Sequence, residues 1–291
     1  MSDPKRASDA APIESSITPL IATITFSGRI ITRGLSRIAL EGAIDELPRD
    51  GAVILASNHT SNLDVMVIGS WLMPRLGRRI HWLGKKEVFT WPVIGWAAAR
   101  GGVHPVDRGA ADVEAFRLAS RILEEGNILF VFPEGTRSQD GALQVGRDGV
   151  AALALRTGAP IVPLGISGSN RVWPKGQKIP RPGGHVTVRV GRPFLPADLL
   201  PPGTDRRAAK TLVTNLIMER IAALLPLSQR GVYGPATTAA AGHATRPDAP
   251  ATPDAEPPDA PATPDYTPDA APDATSDAAL DPNQPPAATE P

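Results

Sequence analysis

The chain has no cysteine among its 291 residues. A disulfide framework and a zinc–thiolate centre are therefore excluded, and the composition fits a reducing compartment. Aromatic residues make up only 4%, no run interleaves them with basic residues, and no nucleic-acid motif occurs, which argues against a nucleic-acid partner. No stretch of roughly 18 or more apolar residues is present, so a simple membrane-spanning helix is not expected. The N-terminus lacks the signal-peptide order of basic start, apolar stretch and small-residue cleavage site, which predicts a protein made and kept in the cytoplasm. Walker and Rossmann glycine patterns are absent. His81, His104, His185 and His243 show no ligand spacing with carboxylates or one another, so neither a metal nor a bound cofactor is expected. Gly165-Ile166-Ser167-Gly168-Ser169 lacks the last glycine of a nucleophile elbow in register, which excludes a serine hydrolase of that kind.

Charge is plentiful but unevenly placed. Lysine plus arginine and aspartate plus glutamate each total 30. After Gly234 there are ten acidic residues and one arginine, in a loose Pro/Ala/Asp/Thr repeat, which leaves 29 basic against 20 acidic residues before it. Such a tail has too little apolar surface to offset its chain entropy, so residues 235–291 are predicted to be disordered, as are residues 1–13. The basic remainder suits an anionic membrane surface or a phosphorylated substrate.

Residues from Ser16 to Ala39 read as a helix, or as a helical pair broken near Gly28 or Gly34. Ile30, Ile31, Leu35, Ile38 and Ala39 recur at helical spacing beside a stripe of Arg29, Arg33 and Arg37. This pattern fits an interfacial helix and also an ordinary helix packed on the domain. Beyond it, predicted strands at 53–57, 80–83, 102–105, 128–132, 161–166 and 186–190 alternate with predicted helices at 63–72, 110–124, 147–156 and 205–225. That alternation implies an α/β domain over 42–234 with a largely parallel central sheet flanked by helices, preceded by an amphipathic segment at 14–41.

Two strings follow apolar strands, where open α/β sheets bind ligands. In Asn58-His59-Thr60-Ser61-Asn62-Leu63-Asp64 a histidine precedes an aspartate by five positions. Across a strand-to-helix turn the carboxylate can fold back onto one imidazole nitrogen and leave the other as a general base. The same string is compatible with a merely capped turn. In Phe132-Pro133-Glu134-Gly135-Thr136-Arg137-Ser138, Arg137 can bind phosphate oxygens bidentately, and Glu134 can orient it or hold a substrate hydroxyl. Alone, this string also fits a surface salt bridge. Between them, Gly102-Val103-His104-Pro105-Val106-Asp107-Arg108 sets a further arginine just past a strand. Trp71, Trp82, Trp91 and Trp96 cluster between the first two strings, with core packing or a lipid-facing role open to them.

From about Ala52 to Val190 the chain resembles the 1-acyl-sn-glycerol-3-phosphate acyltransferases and related glycerolipid acyltransferases. Four ordered blocks carry the likeness: NHTSNLD, GVHPVDR, FPEGTRS and Ile161-Val162-Pro163-Leu164-Gly165-Ile166. Lys85-Lys86-Glu87 through Trp96 also looks like the segment between the first two. The resemblance implies that His59 is the catalytic base and Asp64 its partner. It implies a lysophosphatidate site shaped by Asn58, Arg108, Glu134, Gly135, Thr136 and Arg137, with Pro163 in the acyl-side wall. An acyl-CoA or acyl carrier protein thioester would be the donor, and the N-terminal helices would lie in the bilayer surface at the cytoplasmic face. Another lysolipid acceptor, such as a lyso-ornithine lipid, and a non-catalytic lipid-binding protein are the alternatives. Where relatives often have Lys-Lys-Gly, this chain has Arg147-Asp148-Gly149, and His104 and Pro105 are unusual in their block.

Overall fold

The computed structural model describes residues 12–106 and 112–234. Arg108, the N-terminal residues 1–11 and the tail at 235–291 lie outside the described residues. Strands β1 (Arg37–Gly42), β2 (Val53–Ser57), β3 (Ile80–Lys85), β4 (Val103–Val106), β5 (Ile128–Val131), β6 (Ile161–Ser167) and β7 (His185–Val190) form one sheet. Their order is β1-β7-β6-β2-β5-β3-β4. Every neighbouring pair is parallel except β6 and β7. This is the expected α/β architecture with a largely parallel central sheet.

Side chains alternate across the strands and sort into two cores. Val53 and Leu55 of β2, with Ile128 and Phe130 of β5, face helix α1 (Pro19–Leu35) and helix α2 (residues 63–76). Ile54, Ala56 and Leu129 face the opposite layer, formed by α4 (Asp112–Glu124), α5 (Gly149–Thr157) and α6 (Arg206–Ala223). A nine-residue helix, α3 (Pro92–Arg100), links β3 to β4 and has no counterpart among the predicted elements. All five residues of β2 are buried, which explains why its sequence is an uninterrupted apolar run rather than an alternating one. Pro105 sits in β4, an edge strand, where its missing N–H breaks no central ladder.

The N-terminal helix departs from expectation in its extent. Thr18 caps it and Pro19 opens it. It runs unbroken through Gly28, and ends at Leu35 where Ser36 turns extended and its N–H closes on the Thr32 carbonyl. Arg37–Gly42, assigned in part to the helix on its arginine and apolar spacing, is instead an edge strand paired with β7. Its alternation of exposed and half-buried residues is period two, and an Arg189–Glu41 ion pair at 2.9 Å joins facing residues of the two strands. The continuous path at Gly28 has a packing reason. A Cβ there would collide with the Ser70 hydroxyl, which lies in the π-helical turn Ile68–Leu72 of α2. No helix of the described residues is long and apolar enough to cross a membrane.

Candidate active site

β2, β5 and β3 are adjacent parallel strands, so their carboxyl ends share one edge of the sheet. His59 leaves the end of β2, the FPEGTRS turn leaves the end of β5, and Lys85 ends β3. Asp64 lies in the first turn of α2 and is fully buried. Its Oδ2 accepts from the Thr60 and Ser61 backbone N–H groups, each at 2.8 Å, and lies 2.9 Å from His59 Nδ1. The carboxylate thus caps the turn and orients the imidazole at once. With Nδ1–H directed at Asp64, Nε2 is the ring's acceptor. The ring plane is fixed by Phe132, stacked at a centroid distance of 3.7 Å and an interplanar angle of 10°.

Backbone bonds clamp the two strings together. His59 N donates to Glu134 Oε1 at 2.7 Å, and Ser138 N donates to the His59 carbonyl at 2.8 Å. Glu134 also accepts from Gln144 N at 3.0 Å and is 2% exposed. Burial pushes its carboxyl up to about 7, against the pull of those two N–H donors and with Asp64 and Asp140 adding to the rise. Glu134 therefore holds backbone and does not orient the arginine as the sequence suggested. Arg137 is oriented by Asn62 instead, through an Nη1–Oδ1 bond of 2.6 Å. Gly135 takes φ of 70°. A Cβ there would also lie 3.0–3.3 Å from the side chain of Arg147, so glycine answers both the turn and the close approach.

A cavity of about 840 Å³ opens at this edge. His59, Asn62, Gly135, Thr136 and Arg137 line it. So do Lys85, Arg147 and Lys175, and among the described residues no carboxylate lines it. The rest of the wall is apolar, with Val65, Trp82, Val88, Phe116, Phe130 and Leu153 among it. One cavity thus offers an imidazole, an anion-attracting rim and a surface suited to a hydrocarbon chain.

The Acyltransferase family model matches residues 39–167. A 1-acyl-sn-glycerol-3-phosphate acyltransferase of Bacillus subtilis is 31% identical over 176 residues, 59% of this chain and 81% of that protein. The chain belongs to the 1-acyl-sn-glycerol-3-phosphate acyltransferase family. A chloroplastic family member from Brassica napus is 32% identical over 179 residues, 60% of this chain and 50% of that protein. The chain spans about half the length of the chloroplastic relatives it matches. The crystal structure of the 1-acyl-sn-glycerophosphate acyltransferase from Thermotoga maritima superposes with a TM-score of 0.57 at 25% identity, covering 70% of this chain and 79% of that one.

Besides Glu134, which does not line the cavity, two further expected site residues fall elsewhere. Asn58 is buried, and its amide pairs with the Ile166 backbone in both directions, Nδ2 to O at 2.8 Å and N to Oδ1 at 2.7 Å. It continues the β2–β6 ladder with a side chain and is not among the cavity's lining residues. Pro163 is buried in β6 with its ring toward Gly191, and it too is absent from the cavity wall. Conversely, Lys85, Arg147, Lys175 and Asn62 were not singled out as site residues. Lys85 had a usable signal, since it follows a strand in the segment between the first two blocks. Arg147 had one in its place at the family's Lys-Lys-Gly. Lys175 had none, because only the fold brings the loop after β6 to the FPEGTRS turn, where Lys175 Nζ donates to the Arg137 carbonyl at 2.7 Å. Asn62 lies within the first string, but its partner Arg137 is 75 residues away. The charge reversal at Asp148 does not reach the cavity: its Oδ1 accepts from Thr214 Oγ1 at 2.7 Å and ties α5 to α6.

Proposed function

We propose that this chain transfers an acyl group from an acyl-CoA or acyl carrier protein thioester to the sn-2 hydroxyl of 1-acyl-glycerol-3-phosphate, giving phosphatidate. The observation that carries this reading is the His59–Asp64 pair at the wall of a cavity that is cationic in one part and apolar in another. A lysophosphatidate has the matching chemistry: a phosphate monoester, a free hydroxyl and one hydrocarbon chain. Arg137, steered by Asn62, meets the phosphate with its guanidinium fork. His59 Nε2 removes the hydroxyl proton as the oxygen attacks the thioester carbonyl, forming the new C–O bond. The tetrahedral adduct then expels the thiolate, which takes the proton back from the imidazolium held by Asp64. No covalent enzyme intermediate is needed. Arg108 remains a proposed second phosphate contact on the strength of its block.

The acceptor is a membrane lipid, and the exposed α1 side chains Leu20, Phe26, Ile30 and Ile31 fit peripheral attachment to an anionic bilayer at its cytoplasmic face. The test is an acceptor panel: purified protein, a mass-labelled acyl thioester, and lysophosphatidate beside lyso-ornithine lipid and head-grouped lysophospholipids. Preferential labelling of lysophosphatidate supports the reading. Preference for another acceptor moves the substrate within the class, and no transfer to any of them removes the enzymatic reading.

A further inference from the structure

Helix α3 presents the other large apolar surface. Trp91 at its cap is 59% exposed, Val93 78%, Ile94 48% and Trp96 46%. Four large apolar side chains this open in a stretch of six residues are not accounted for by packing, since Gly95 is the helix's one buried residue. The helix is also held close to its neighbour. A Cβ at Gly95 would meet the Phe89 backbone at 2.5–2.8 Å, so the 3-10 turn Lys86–Thr90 and the helix form one shoulder. Between residues 85 and 106 the charged residues are Lys85, Lys86, Arg100 and Glu87. Arg100 lies over the Trp96 ring at 4.7 Å. Tryptophan beside cations is the composition that settles at the level of lipid headgroups.

The shoulder adjoins the cavity, because Lys85 and Val88 line it. We propose that the Trp91–Trp96 surface inserts into an anionic bilayer, as a contact separate from α1, and sets the cavity mouth at the headgroup level. This rests on reading the cavity as a lysolipid site. A bilayer, rather than a second copy of the chain, is favoured by the cationic flank and by that shared edge with a cavity whose substrate is a lipid.

The test uses the full-length protein with phosphatidylcholine/phosphatidylglycerol vesicles carrying bromine on their acyl chains. Intrinsic tryptophan fluorescence should be quenched, and Trp91→Phe with Trp96→Phe should remove most of the quenching. Val93→Gln with Ile94→Gln should lower vesicle partition by about tenfold or more, as withdrawing two large apolar side chains from lipid requires, while the α1 face keeps some binding. Thermal unfolding should be unchanged, since neither residue is buried. Turnover is not needed for these readouts, so quenching in a protein that acylates no lysolipid would uphold this surface and remove the reading of the cavity instead. Quenching that is indifferent to the tryptophan changes, or partition unchanged by the glutamine pair, would overturn the proposal. A dimer lost on the glutamine change with vesicle binding intact would overturn it too, in favour of a second copy.

Discussion

The carboxyl of Glu134 touches the backbone of both His59 and Gln144, so a single buried side chain sets the distance between the His59 turn and the loop that follows FPEGTRS. Glutamine at this position has one acceptor oxygen and must turn its NH₂ toward one of the two N–H donors. Glu134→Gln should therefore lower turnover. It should also change the pH dependence of stability. A carboxyl raised from 4.5 to about 7 on folding keeps its proton longer in the native state. Its contribution is fully present below the unfolded value and is lost as pH rises through about 7. Unfolding temperatures at about pH 5 and about pH 8 should thus fall further for the wild type than for Glu134→Gln; parallel shifts would contradict the assignment. Asn58 makes the same kind of link between β2 and β6. Asn58→Ala should destabilise by about 2–4 kcal/mol, since it orphans a buried N–H and C=O of Ile166. Chemical denaturation checks this, and the acceptor KM of the folded fraction should stay unchanged. The His59–Asp64 contact could be read from spacing because its partners lie five positions apart. The roles of Asn58 and Glu134 could not, because their partners lie 108 and 75 residues away.

Strands fully buried between helical layers, such as β2 and β6, announce themselves as apolar runs, and their positions were legible to within a residue or so. β1 was not, because an edge strand with one half-buried face carries only Ile38 and Leu40 as signal, and these also extend the helical spacing of α1. The distinction matters for experiment. Deleting residues through Leu40 would strip the sheet's edge and Ile21 from the core, so the membrane role of α1 is better probed by substituting exposed Phe26 and Ile30. Helix-on-helix packing supplies a prediction of its own. Gly28→Ala drives a methyl into Ser70, and overpacking of this kind costs about 1–3 kcal/mol. Adding Ser70→Ala, whose Cβ would remain 3.4 Å away, should recover most of that loss in thermal unfolding. A double variant no more stable than the single one would mean that α1 packs differently. α3 escaped the sequence reading for the opposite reason: its apolar residues point outward and give no stripe of buried and exposed positions.

Across the whole molecule, the sheet gathers the chemistry at one edge. Parallel β2, β5 and β3 end there together, which brings His59, Arg137 and Lys85 from three separate stretches of chain to one cavity. Much of the apolar wall comes from β3 and β5, where consecutive residues such as Trp82 and Leu83 or Phe130 and Val131 line it, and from α4 and α5. Among the described residues the cavity's charged lining is cationic, which suits an anionic ligand. Fold and the His59–Asp64 contact were therefore legible in the sequence, whereas the cavity's cations required the folded chain. The central claim is that His59 acts as the general base for acyl transfer. It is tested most directly by measuring single-turnover acyl transfer from a labelled thioester to lysophosphatidate with His59→Ala, after circular dichroism has established that the variant is folded. Loss of a positioned base should slow product formation by about 10²–10⁴-fold with little change in acceptor binding. A folded His59→Ala protein that forms phosphatidate at the wild-type rate would contradict it.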